Sequence, residues 1–262
     1  KGHDVTLVSL HASPSKPSKA LAYNDVVAES AWTKIQSATG GFNVFDLSRT
    51  SSDVNREIMK IMFRNLPDYC DAFLRDPALQ AVWKVKPDLI MIPAFMNECA
   101  LAFVHKFNVP FIYVTTSGLT PWTADTIGNP EHPAYVPNQY LSYTDDMTLW
   151  ERVVNTAMRI GSPFARRHFI LNRLDGVVQN FFGDESVSLE ALERNVSLVL
   201  VNSHHSLGFP RPLLPNVIEV GGMQCREPKS LKNVDGELYD FLDEAMENNV
   251  LYFSLGSHIK SS

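Results

Sequence analysis

The stretch "KPDLIMIPAFMNECALAFVHKFNVPFIYVTTS" constrains the fold more than any other part of the chain. Residues 89–92 and 111–115 are nearly unbroken apolar runs of strand length. Such runs belong to parallel strands covered on both faces, since an exposed face would select a polar residue at every second position. Between them, residues 98–107 read as a helix with Asn97 as its N-cap. Strand, helix and strand make a βαβ unit. Its right-handed crossover leaves the loops after Ile92 and Thr115 at one carboxyl edge of the sheet, where open α/β sheets bind ligands. The fold class that follows is α/β, a Rossmann-like parallel sheet flanked by helices.

The flanking segments extend this pattern. "DVTLVS", "FNVFDLS", "SLVLVNS", "NVIEVGG" and "VLYFS" read as further short strands. A helix is expected through residues 32–37. Val54, Ile58, Ile61, Met62 and Leu66 recur at helical spacing, and Pro67 divides that region into two helices. Asp76 followed by Pro77 is a helix start, an N-cap with proline at the first helical position. Thr148 and Glu151 have capping-box spacing, and Trp150, Val153, Val154 and Ala157 then share one face of a surface helix, a face expected to pack on something. Residues 117–146 form a long connection without secondary structure, whose three tyrosines and one tryptophan argue for order and a functional role. "VDGELYDFLDEAMENN" is an acidic helix.

Composition excludes several functions. The 262 residues are 45% hydrophobic, enough for a substantial core, and the net charge is −6. Without a basic cluster there is no surface to displace counterions from nucleic acid. No run approaches the roughly 18 to 20 apolar residues of a membrane span, and the first nine residues do not form a signal peptide. Cys70, Cys99 and Cys225 lie far apart with no C-x-x-C pair, which disfavours a disulfide framework or zinc site and leaves three buried thiols as the expectation. Asn195 heads an "NVS" triplet, a glycosylation acceptor in a secretory compartment and also a triplet that arises by chance.

Familiar catalytic signatures are absent. There is no G-x-G-x-x-G, phosphate-binding P-loop, G-x-S-x-G elbow or H-E-x-x-H, so dehydrogenase, NTPase, hydrolase and zinc-protease readings lose support. His204 and His205 are neighbours on an extended segment and cannot easily share one ion, so no metal is expected. His105 reads as a surface residue, while His3 and His11 flank the first strand. The carboxyl-edge loops offer better candidates: Asn97 and Glu98 after one strand, Thr116 and Ser117 after the other. Glu98 is either a general base for an acceptor hydroxyl, if burial raises its pKa, or a first-turn acid favoured by the helix dipole.

Taken together, "KGHDVTLVS", the βαβ stretch, "GNPEHPAYVP", "MTLWERVVNT", "LVNSHHSL", "RPLLPNVIEVGGMQC" and "VLYFSLGSHIKSS" resemble, in this order, the amino-terminal half of the UDP-glycosyltransferases, with an insect flavour. The resemblance implies two Rossmann-like domains facing across a cleft, the GT-B arrangement, with a lipophilic acceptor bound by the first and a UDP-sugar by the second. Residues 1–225 would be the acceptor domain, 226–249 a linker and helix, and 250–262 the first strand and turn of the donor domain. The implied reaction is metal-independent and inverting, transfers a hexose read as glucose, and needs no cofactor beyond the UDP-sugar co-substrate. The family's deprotonating histidine lies upstream of the matching segment, and neither His3 nor His11 replaces it by alignment. The family's supporting acid falls at Pro93, which leaves Glu98 as the nearest carboxylate. Met96, Asn97, Thr116, Ser117, Trp122 and Tyr135 would line the acceptor pocket, with Tyr113 also expected in the core, and Gly256 and Ser257 would approach the UDP diphosphate. The family's signal peptide and membrane helix, which imply the lumenal face of the endoplasmic reticulum, match no part of this chain. Two rivals are a non-catalytic module for small lipophilic ligands, favoured by Pro93, and a hydrolase-like enzyme, disfavoured by the missing nucleophile elbow.

Overall fold

In the computed structural model of the protein, residues 2–10, 23–39, 54–223, 225, 227, 235–245, 250, 251 and 253 are described. The strand read at 42–48, His11, and the Gly256 and Ser257 turn lie outside the described residues.

The chain opens with β1 (Thr6–Ser9) and β2 (Asn24–Val27), which pair in parallel as a two-stranded sheet. Then come α1 (Glu29–Thr39) and α2 (Val54–Leu74). The βαβ unit follows as β3 (Ile90–Pro93), α3 (Leu101–Phe107) and β4 (Phe111–Thr115). After it come α4 (Pro121–Ile127), α5 (Leu149–Arg166), a π-helical turn at Arg167–Leu171, α6 (Asn172–Phe182) and α7 (Leu189–Glu193). The described elements end with β5 (Leu198–Val201), β6 (Val217–Glu219) and α8 (Gly236–Glu244). Strands β3, β4, β5 and β6 form one parallel sheet in that order, so all four end at one carboxyl edge. Gly221, just after β6, has its amide on the Ser203 carbonyl, and a Cβ there would come within 2.6 Å of that oxygen. Among the described residues no helix is long and apolar enough to cross a membrane.

The core lies on both sides of β4. Phe111 and Tyr113 are buried with Leu74 of α2, Leu101 of α3, Leu174 of α6 and Val199 of β5. Each fully buried leucine contributes about 1.5–3 kcal/mol relative to exposure. Burial of both faces, expected for both strands of the unit, holds for β4. In β3, the edge strand of the four-stranded sheet, Met91 is 58% exposed. A smaller cluster of Leu79, Phe103 and Ala28, joined by Val8 and Val26, packs the first sheet against α3. Trp83 stacks on Phe103 there at 4.3 Å.

Several expectations are corrected. The region expected to be two helices is one, because α2 runs through Pro67. Most of the spacing that suggested it, at 54–62, falls on side chains outside the described residues. The connection after β4 is not free of secondary structure: Thr120 caps α4 by accepting from the Thr123 amide, Pro121 opens it, and Gly128 ends it at φ 70°. The Thr148–Glu151 capping box forms as expected. Helix α5, however, turns its apolar face outward: Trp150 is 72% and Ile160 70% exposed, and Val153 and Ala157 lie on that side. Asn155 and Arg159 face inward instead, because loop carbonyls and Glu131 need partners there. Cys70 and Cys99 are not thiols but a disulfide tying α2 to the turn before α3, and Cys225 is exposed. No local spacing marks this pair, because the fold brings together positions 29 apart. The strand expected at 250–254 is not formed at Val250, Leu251 or Phe253, which are exposed and pair with no strand among the described residues.

Asp76 joins the two ends of this framework. Its Oδ2 accepts from the Ser30 amide at the start of α1 and its Oδ1 from the Ala78 amide, in the short 3₁₀ turn Pro77–Gln80. Burial alone would raise its pKa, but the bonds from Ser30 and Ala78 outweigh burial and hold it below the ordinary carboxylate range. A depressed folded-state pKa stabilises the fold above the unfolded value of about 3.9, and that contribution is lost as pH falls through the folded value. Asp76→Asn should therefore cost about 1 kcal/mol at neutral pH, with the difference from wild type shrinking in acid. Urea unfolding at a series of pH values checks this, and a pH-independent difference would refute it.

Candidate functional site at the carboxyl edge

Where β3 ends, the chain makes a tight turn. Pro93 closes the strand, which is tolerated because β3 is an edge, and the Ala94 amide still reaches the Val114 carbonyl. Met96 then takes φ 55°, a conformation that L side chains other than Asn and Asp rarely adopt. Asn97 holds it: its Nδ2 donates to the Phe95 carbonyl at 2.8 Å. The side chain expected as a helix N-cap is thus spent on the turn and makes no cap bond to the 3₁₀ turn Glu98–Ala100. Strained backbone of this kind persists only where surrounding contacts over-determine it, and it clusters at functional sites.

This turn presents Phe95 beside α4. Phe95 and Trp122 stack with centroids 6.4 Å apart, and Trp122 stacks on Tyr140 at 5.7 Å. Phe95 and Tyr140 are 44% and 46% exposed, so the three rings form an accessible aromatic shelf at the carboxyl edge. Of the residues expected to line a pocket, Trp122 is central to this shelf and half-buried Met96 follows Phe95 in the turn. Thr116 and Ser117 are exposed at the end of β4, with the Thr116 carbonyl accepting from Asn202 and the Ser117 carbonyl from Thr115. Tyr135 belongs to a separate stack, on His132 at 5.4 Å. Phe95 and Tyr140 escaped the sequence reading, although "AFMN" directly after a strand was a signal for the first. Tyr113 is core, 5% exposed.

The shelf rests on a long segment whose order comes from buried amides. Asn129 accepts from the Leu214 amide and donates to the Pro212 carbonyl. Asn155 of α5 accepts from the Asn138 amide and donates to the carbonyls of Pro133 and Val136. Glu131 receives Arg211 at 2.9 Å and lies 3.4 Å from Arg159. Burial raises the Glu131 pKa against the pull of both arginines.

Glu98 begins behind the turn and points into the core, 8% exposed. Its Oε1 accepts from Arg166 Nη2 at 3.1 Å and Nε at 3.3 Å. The same guanidinium donates to Glu193 of α7 from both Nη atoms, and Tyr113 donates its hydroxyl to Glu193 at 3.0 Å. Burial alone would weaken the Arg166 charge, yet Glu193 and Glu98 raise its pKa above the usual arginine value. Burial and the Glu193 charge push the Tyr113 phenol well up, so it stays a donor. The second Glu98 oxygen is buried without a hydrogen-bond partner among the described residues. This arrangement gives Glu98 a charged partner of its own and directs it away from the shelf.

His204 and His205 are exposed with rings 4.2 Å apart, and His204 Nδ1 is bonded to the Ser206 hydroxyl. His105 lies 3.6 Å from Asp184 and against Phe182. Among the described residues no three His, Cys, Asp or Glu side chains converge as metal ligands.

Removing the cation from the buried cluster should be severe. Arg166→Ala leaves two carboxylates facing each other without a counter-charge and is expected to cost about 3–5 kcal/mol. The triple replacement Arg166→Met, Glu98→Gln, Glu193→Gln, which removes every charge, should recover much of that loss. Thermal and urea unfolding of the two variants decides it; equal instability would mean that packing rather than charge dominates.

Comparison with known proteins now fits this geometry to a family. The family described as "UDP-glucoronosyl and UDP-glucosyl transferase" matches residues 2–262. UDP-glucosyltransferase 2 of Dactylopius coccus is 30% identical over 100% of this chain and 49% of its own length. UDP-glycosyltransferase UGT5 of the same organism is 34% identical over 67% of this chain and 33% of its own. Human UDP-glucuronosyltransferase 2B15 is 26% identical over 100% of this chain and 51% of its own. The chain thus spans about half the length, or less, of these curated relatives. No solved structure matches it. A parallel sheet flanked by helices, an aromatic shelf at its carboxyl edge and a family match along the whole chain lead to one conclusion: this chain belongs to the UDP-glycosyltransferase family and corresponds to its amino-terminal half.

Proposed function

We propose that this chain is the acceptor-binding half of an enzyme that transfers glucose from UDP-glucose to a small lipophilic hydroxyl compound. The observation that carries the reading is the accessible Phe95–Trp122–Tyr140 shelf at the carboxyl edge, a surface suited to stacking an apolar acceptor. Glucose is supported by the name of the Dactylopius relative, UDP-glucosyltransferase 2. In the reaction the acceptor oxygen bonds the anomeric carbon, the bond from that carbon to the UDP oxygen breaks, and the acceptor proton passes to a base. By the family resemblance that base is a histidine upstream of residue 1, and UDP is held by a carboxyl-terminal domain. Residues 1–225 would form the acceptor domain, 226–249 the linker, and 250–262, with Gly256 and Ser257, the entry to the donor domain.

Within this reading Glu98 is a positioning residue. It anchors the Phe95–Asn97 turn from behind through Arg166, while Pro93 offers no acid. The Cys70–Cys99 disulfide supports folding in an oxidising compartment, consistent with the lumenal face of the endoplasmic reticulum. Pro93 in the acid's place also favours a second reading, a binding module without turnover.

Full-length protein assayed with UDP-glucose and a panel of phenols separates the two. The transferase reading expects UDP release dependent on the phenol; tight phenol binding with no UDP release selects the module. Trp122→Ala should raise the acceptor KM roughly tenfold and leave the KM for UDP-glucose unchanged. Glu98→Gln should leave the pH profile of kcat unaltered, whereas loss of its acidic limb would make Glu98 the base. Residues 1–262 alone should show little turnover, and robust UDP release by them would overturn the domain division.

A further inference from the structure

We propose that Asn195 carries an N-linked glycan, set at the end of the sheet opposite the acceptor shelf. The inference rests on the lumenal reading given above and adds a modification site to it.

Asn195-Val196-Ser197 satisfies the acceptor triplet, and its middle residue is not proline. A triplet alone says little, since it also occurs in buried positions and in chains that never meet the glycosylation machinery. The fold supplies what the triplet cannot. Asn195 and Ser197 are both exposed, while Val196 between them is buried at 8% and anchors the segment. The backbone there is fixed, with the Asn195 amide on the Leu192 carbonyl, the Val196 amide on Glu193 and the Ser197 amide on Phe111.

The side chain has room for the modification chemically as well as sterically. Among the described residues its Nδ2 makes one hydrogen bond, to the Ala191 carbonyl at 3.3 Å. A primary amide has two N–H groups, so the sugar can replace one hydrogen while the other keeps that bond. In the transfer, Nδ2 bonds the anomeric carbon of an oligosaccharide. The bond from that carbon to a lipid diphosphate breaks, the diphosphate leaves with the electron pair, and the displaced amide proton passes to the transferase's base. The lipid-diphosphate oligosaccharide of the secretory pathway is the co-reactant.

Position makes the glycan compatible with function. Asn195 lies between α7 and β5, and Ser197 bonds the first residue of β4, so the site is at the amino edge of the parallel sheet. Phe95, Trp122 and the ends of β3 and β4 lie at the other edge. A bulky, hydrated chain at Asn195 can therefore cover the sheet's amino end without obstructing the shelf.

The second observation is the Cys70–Cys99 disulfide. A bridge between cysteines of separate elements, one buried and one half-buried, forms and persists in oxidising compartments, the same compartments in which N-glycans are added.

The test is expression of the full-length protein in insect cells, digestion with peptide-N-glycosidase, and mass analysis of the peptide spanning residue 195. The enzyme converts a glycosylated Asn to Asp, so the expected result is Asp at 195 after digestion and an intact glycopeptide before it. Asn195→Gln and Ser197→Ala should each abolish the modification, and Ser197→Thr should preserve it. Phenol glucosylation by Asn195→Gln should match wild type. An unmodified Asn195 in wild type overturns the proposal, and alkylation of the same sample shows how far the failure extends. If Cys70 and Cys99 are bonded, the lumenal reading stands and only the glycan falls; if both are free thiols, both readings fall.

Discussion

The Arg166 guanidinium holds this structure together at the point where four elements meet. It bonds Glu98 at the start of the α3 turn and Glu193 at the end of α7, while Tyr113 of β4 completes the set. A buried charge is tolerable only when paired and hydrogen-bonded, so the cluster works as a register lock more than as a source of net stability. Any slip of α7 or of the π-helical turn beside Arg166 would strand a carboxylate in the core. Packing alone would accept several such arrangements, because Leu, Val and Ile contacts are non-directional. The directional bonds of one planar cation select among them.

That lock has a consequence at the carboxyl edge. Glu98 is bound from behind, so the residues before it are pulled into a short turn with Met96 at positive φ, and Phe95 is left facing α4. On the other side of the shelf, Asn129 and Asn155 satisfy the carbonyls and amides of a segment that has no ladder of its own. The aromatic surface is therefore held on one side by the end of β3, where the Ala94 amide bonds Val114, and on the other by buried polar groups. A rigid shelf costs less side-chain entropy on ligand binding than a flexible one, in keeping with the acceptor-binding role proposed for it.

Much of the fold was readable from the chain. Strand β4 matches its apolar run residue for residue, the capping box at Thr148 forms, and parallel pairing gives the shared carboxyl edge. Helix α4 was also legible in principle, since Thr-Pro and Gly mark its start and end, but seven residues among many turn formers give a weak periodic signal. The outward face of α5 was not legible. Periodicity shows which residues share a face, and only the loop carbonyls waiting for Asn155 show that the polar side is the one turned inward.

The site divides in the same way. Sequence alone determined that a βαβ unit would deliver two loops to one edge, that Trp122 and Met96 would lie near it, and that the whole chain resembles the amino-terminal half of one transferase family. Those conclusions rest on local spacing and on strings of neighbouring residues. Tertiary structure decided that Cys70 and Cys99 are bonded, that Phe95 and Tyr140 complete the shelf, and that Glu98 belongs to Arg166. Each depends on residues 29 to 68 positions apart in the chain or on rings from separate segments. No local pattern specifies such distances, because they are set by how the layers close around the core.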